Sequence, residues 1–123
     1  MDASPSQEIQ QLAHRLGEAL QDHPSVRAYL EACERAQANS EVSALEKQLY
    51  GLYNDLLSRQ QSGERIPRNL IEEFYALRDR VFTHPLIVER ESALKVVKTL
   101  FAEVANELSL PLGMDYTALV QER

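Results

Sequence analysis

Apolar residues return at helical spacing along nearly the whole chain. Ile9, Leu12, Ala13, Leu16, Ala19 and Leu20 recur every three or four positions, the period of one face of a helix. Ser4-Pro5-Ser6-Gln7 precedes them and reads as a capping box with proline at the first helical position. Pro24 opens a second segment with Val26, Tyr29, Leu30, Cys33 and Ala36 on one face, ending in the polar run Gln37-Ala38-Asn39-Ser40. Ser40 is the expected cap of a third helix. Its apolar positions Val42, Leu45, Leu49, Leu52 and Leu56 alternate steps of three and four, as in a coiled-coil seam, up to Ser62-Gly63. Pro67 or Asn69 opens a fourth helix with Leu70, Phe74, Leu77 and Val81 inward. Pro85 opens a fifth with Leu86, Leu94, Val97, Phe101, Val104 and Leu108, broken by Pro111 and Gly113, and Asp115 caps a short last turn through Val120.

No run alternates strictly enough for a strand, and the four glycines are too few for an α/β architecture. The expected class is all-α: a five-helix bundle in one domain, residues 1–123, with a short flexible N-terminus at 1–4 and a short tail at 111–123. Sliding the chain by 61 residues brings His23-Pro24 onto His84-Pro85. Ile9 then meets Leu70, Ala13 meets Phe74, Leu16 meets Leu77, Leu20 meets Val81, Val26 meets Ile87, Cys33 meets Leu94 and Ala36 meets Val97. Two helix–His-Pro–helix hairpins joined by the long third helix account for these matches, although any two amphipathic hairpins share some of them.

Composition narrows the function classes. Hydrophobic residues at 44% and charged residues at 26% are ordinary for an ordered domain. The net charge of −6 disfavours direct contact with phosphate backbones. The single cysteine, Cys33, forms no disulfide within the chain and makes no metal or cluster site alone, so it reads as a small core hydrophobe. No apolar run approaches the roughly 18–20 residues that span a bilayer, and no signal-like h-region opens the chain. The expected setting is the cytoplasm, without membrane or nucleic-acid contact.

Catalytic chemistry is hard to assemble. Neither HExxH, GxGxxG, a P-loop, GxSxG nor CxxC occurs. Glu72-Glu73 and Glu89/Glu91 are one or two residues apart and point to different helix sides, as solvated residues. Both His-Pro pairs fit helix starts: proline spends no needed donor, and a neutral imidazole before it accepts an orphan backbone N–H. Arg65, Arg68, Arg78 and Arg80 interleave with Glu64, Glu72, Glu73 and Asp79 as a mixed surface. No catalytic, cofactor or metal residue is assigned. What stands out is surplus apolar surface. Tyr50 and Tyr53 flank the third helix's seam, Leu57 lies outside it, and Val96 and Leu100 widen the fifth helix's stripe. Such width is either buried in a monomer or marks an interface. The candidate interface residues are Leu45, Leu49, Leu52, Tyr53, Leu56, Val96, Leu100 and Val104.

The segments "PSVRAYLEA", "QQSGERIP", "LRDRVFTHPLIVERESALKVV" and "LPLGMDYTAL", with their intervening helix lengths, resemble the YlbF/YmcA family of small bacterial helical proteins over residues 8–118. The resemblance implies an oligomerising cytoplasmic protein related to regulators of competence, sporulation, biofilm formation and RNase Y-dependent messenger RNA processing. Some relatives end in a cysteine-rich tail or join complexes associated with iron–sulfur clusters. This chain ends Tyr116-Thr117-Ala118-Leu119-Val120-Gln121-Glu122-Arg123 without cysteine, and no cofactor is expected. The first reading is an adaptor-type regulator that forms a homo-oligomer, most simply a dimer, and binds other regulatory proteins. A purely self-associating structural protein and a bundle that binds a small molecule or metal are the alternatives.

Overall fold

The computed structural model describes residues 3–121. Six helices follow in order: α1 (Gln7–Gln21), α2 (Pro24–Ala38), α3 (Ser40–Gln61), α4 (Arg68–Phe82), α5 (Pro85–Leu112) and α6 (Tyr116–Val120). No strand occurs among the described residues, so the chain is all-α. Met1, Asp2, Glu122 and Arg123, part of the expected N-terminal stretch and tail, lie outside the described residues.

Helix ends follow local chemistry, and several differ from expectation by one or two residues. Ser6, not Ser4, caps α1 by accepting the Ile9 N–H at 3.3 Å, which leaves Pro5 outside the helix. Asn39 displaces Ser40 as the cap of α3. Its side-chain oxygen accepts the Val42 N–H at 3.0 Å, while Ser40 becomes the first helical residue. Pro67 sits at the cap of α4 and offers no side-chain acceptor. Pro111 does not end α5. It falls within the final turn, where its missing N–H and the crowding of its ring against the Glu107 carbonyl disturb the helix only at its end, and the helix stops at Leu112 before Gly113 at φ 70°. Gly63, at φ 74°, ends α3 in a Schellman turn: Glu64 N–H donates to the Arg59 carbonyl at 3.0 Å and Gly63 N–H to that of Gln60 at 3.1 Å.

The two His-Pro junctions are built alike. His23 Nδ1 accepts from Ser25 N–H at 3.1 Å and His84 Nδ1 from Leu86 N–H at 3.2 Å. The carbonyls of the same histidines accept from Arg27 at 3.0 Å and Val88 at 2.9 Å. Each imidazole therefore caps its helix from the residue before a proline, with the neutral ring's lone pair on the second helical N–H.

The described chain divides into two compact units, to both of which α2 and α5 contribute. One comprises residues 31–92. In it α3 and α4, joined by a short turn, form a closely packed antiparallel hairpin. Ala36, Val42, Leu45, Leu49, Leu77, Val81 and Ile87 form its core, with Leu52, Phe74 and Leu86 packed at the edge. Arg90 ties the start of α5 to α3 through a two-point pair with Glu46, at 3.3 and 3.2 Å, and reaches Glu91 at 3.3 Å. The hydrogen bond to Glu46 outweighs partial burial and raises the Arg90 pKa above its already high ordinary value. Arg35 pairs with Glu89. Glu89 and Glu91, expected to be purely solvated, thus hold ion pairs: packing of α2 on α5 brings Arg35 to Glu89, and Glu91 pairs with its chain neighbour Arg90.

The other unit comprises residues 1–30 and 93–123, of which those from 3 to 121 are described. Val26 and Val97 are buried there, and α6 is tied to α5 by the Tyr116 N–H donating to Ser109 Oγ at 2.9 Å. α1 buries no residue. On α2 the buried residues are Val26, Ala32 and Ala36, whereas Leu30 faces solvent and Cys33 is only half-buried. The inward side of α2 therefore drifts off the stripe read from the sequence and runs through small alanines.

Candidate functional site

The expected interface residues fall into two groups. Leu45 and Leu49 belong to the core of the hairpin, and Leu52 and Leu56 are half-buried beside it. Tyr53 and Val96 are exposed, while Leu100 and Val104 are half-buried. Val96 and Leu100 line a shallow hollow with His23, Ser25, Thr99 and Glu103.

Around the α3–α4 hairpin, side chains sort by helical phase. On one flank Lys47, Gln48, Gly51 and Asp55 of α3 and Glu73, Ala76 and Arg80 of α4 border a polar groove beside Leu52 and Leu77. Turning each helix past its buried stripe brings up a different surface. Tyr50, Tyr53 and Leu57 follow one another on α3 by steps of three and four, and Ile71, Tyr75, Arg78 and Phe82 on α4 by four, three and four. Two antiparallel helices related by a perpendicular two-fold keep equivalent flanks on the same side. Both rows therefore lie opposite the polar groove.

Ring contacts tie the rows together. Tyr53 and Phe74 stand 6.2 Å apart between centroids, Phe74 meets Tyr75 edge-on at 5.6 Å, and the Arg78 guanidinium lies 5.1 Å over the Tyr75 ring. Phe74 is half-buried and anchors the group from below, whereas Tyr50, Tyr53 and Tyr75 are each at least half exposed. Tyrosine and arginine concentrated over an apolar row match the composition of energetic centres in protein interfaces, because their rigid rings offer area at low entropic cost. The sequence pattern pointed to Tyr50, Tyr53 and Leu57. It did not single out Ile71, Tyr75 and Phe82, which are legible only once α4 is known to pack antiparallel on α3.

Among the described residues no group of three or more His, Cys, Asp or Glu side chains is placed to hold a metal ion. No helix there is long and apolar enough to cross a membrane.

A family model described as control of competence regulator ComK, YlbF/YmcA, matches residues 9–112, most of the chain. The chain belongs to the YlbF/YmcA family. The resemblance read from the sequence is thereby borne out, and the family is a regulatory one. Comparison with curated proteins and with solved structures finds no match. In this YlbF/YmcA family member the aromatic flank of the hairpin lies wholly inside the matched span.

Proposed function

We propose that this protein is a non-enzymatic regulator of the YlbF/YmcA type that works in the cytoplasm by binding other regulatory proteins. The observation that carries this is the tyrosine-rich flank of the α3–α4 hairpin. Two rows of apolar and aromatic side chains lie side by side on adjacent helices, a surface against which a third, amphipathic helix can pack. The partner feature we assign to it is a helix with apolar residues at three-and-four spacing, whose aromatic contacts would displace water from Tyr53 and Tyr75. The net charge of −6 supports an effect transmitted through protein and not through direct RNA contact. Family membership supports the regulatory role, and the ComK control that names the family is the first pathway to examine.

The test compares wild-type chain with Tyr53→Glu and Tyr75→Glu as baits in nuclease-treated native lysate. Helical segments of recovered proteins are then synthesised and titrated onto the purified chain. A segment whose affinity falls about tenfold or more with either substitution, with unchanged thermal melting of the variants, is the expected result. Equal binding by wild type and both variants, or retention only while RNA is intact, would overturn the proposal.

A further inference from the structure

In the two rows on the α3–α4 hairpin Arg78 is the one charged residue, and nothing in its own helix neutralises it. Arg27, Arg35, Arg59, Arg68 and Arg90 each reach a carboxylate within the chain. Arg78 meets a ring instead, its guanidinium 5.1 Å over Tyr75, and among the described residues it is in no ion pair. The reason is local. Side chains three and four positions away on a helix are the ones within reach, and around Arg78 these are Phe74, Tyr75, Val81 and Phe82. Asp79, next in the chain, leaves the helix about 100° further round. Glu46, on the neighbouring helix α3, is already taken up by Arg90.

We propose that Arg78 selects the partner of this face: the docking helix carries an aspartate or glutamate at the margin of its apolar stripe, and Arg78 receives it. The inference rests on the docking face proposed above and adds the sign of the charge that the face accepts. A guanidinium is flat. It can lie with its face on a ring and still direct its in-plane N–H groups to both oxygens of a carboxylate. Stacking on Tyr75 holds the group in place before a partner arrives, so less side-chain freedom is lost on pairing. An apolar stripe laid over Tyr53, Tyr75 and Phe82 removes water from around the guanidinium. Left there without a carboxylate the charge is costly, so a neutral or basic helix is disfavoured against an acidic one. The net charge of −6 does not reverse this, since charges beyond about 8 Å are largely screened at physiological ionic strength, whereas Arg78 is in contact. A phosphate backbone is a poorer match, because it is neutralised by cations in series and the rows supply one.

The probe is a displayed library of amphipathic helices with a fixed leucine stripe at three-and-four spacing and random residues at the flanking positions, selected on the purified full chain. Wild type, Arg78→Glu and Tyr53→Ala are run in parallel, each first shown to keep its helical circular dichroism and thermal melt. Expected on wild type is enrichment of Asp or Glu at one flanking position, with affinity of the selected helices falling about tenfold or more in Arg78→Glu. The Arg78→Glu chain should select Lys or Arg at that same position. Helices that weaken with Tyr53→Ala but show no acidic preference, or that bind wild type and Arg78→Glu equally, overturn the charge assignment and leave the docking face standing. Helices indifferent to both substitutions, or failure to select any helix, overturn both.

Discussion

At the scale of single residues, the His-Pro junction shows how a pair that invites thoughts of metal or proton chemistry is accounted for by a helix start. Both rings spend Nδ1 on a backbone N–H, at 3.1 and 3.2 Å, and that bond was legible from the sequence because proline leaves the next N–H as the first orphan to satisfy. His84→Ala should lower stability by about 0.5–2 kcal/mol, as loss of a cap does elsewhere, read as a shifted urea midpoint at constant slope. His84→Asn, which restores a side-chain acceptor, should recover most of it. The Arg90–Glu46 pair was not legible, since the partners lie 44 residues apart and meet only through packing. Glu46→Gln should cost about 1–2 kcal/mol by leaving the half-buried guanidinium weakly matched. A double-mutant cycle with Arg90→Met should give a coupling energy clearly above the few tenths typical of exposed pairs.

At the scale of elements, periodicity marked every long helix because each has one apolar face, and the family resemblance was equally visible in helix lengths and breaks. What the period leaves open is which face finds a neighbour. Leu16 and Leu77 lie on similar stripes, and nothing local to either says that one is buried against α3 and the other is not. The caps differ from expectation by one or two residues for a related reason: Ser4 and Ser6, like Asn39 and Ser40, are all good caps, and backbone direction decides between them. The unequal burial makes a sharp comparison. Leu77→Ala should destabilise the chain by about 2–4 kcal/mol through lost contact and residual cavity. Leu16→Ala should cost less than about 1 kcal/mol when measured at concentrations where the chain is monomeric.

At the scale of the whole molecule, stability is distributed unevenly. The residues of the hairpin and its flanking helix ends share one apolar cluster, whereas α1 contributes none of its residues to a core. Hydrogen exchange should therefore find the amides of α3 and α4 the slowest and those of α1 the fastest among the long helices. The class and the regulatory family were readable in the chain, but the aromatic flank was only half readable. Its α3 row stood out as surplus width, and its α4 row needed the antiparallel hairpin to bring Ile71, Tyr75 and Phe82 alongside. That flank also has an optical consequence. The chain has five tyrosines and no tryptophan, and three of the five, Tyr50, Tyr53 and Tyr75, line the same surface. Their ultraviolet emission is thus a label that the protein carries without modification. Any docking helix that brings a tryptophan should quench it by energy transfer, so binding can be followed by the colour of the emitted light alone.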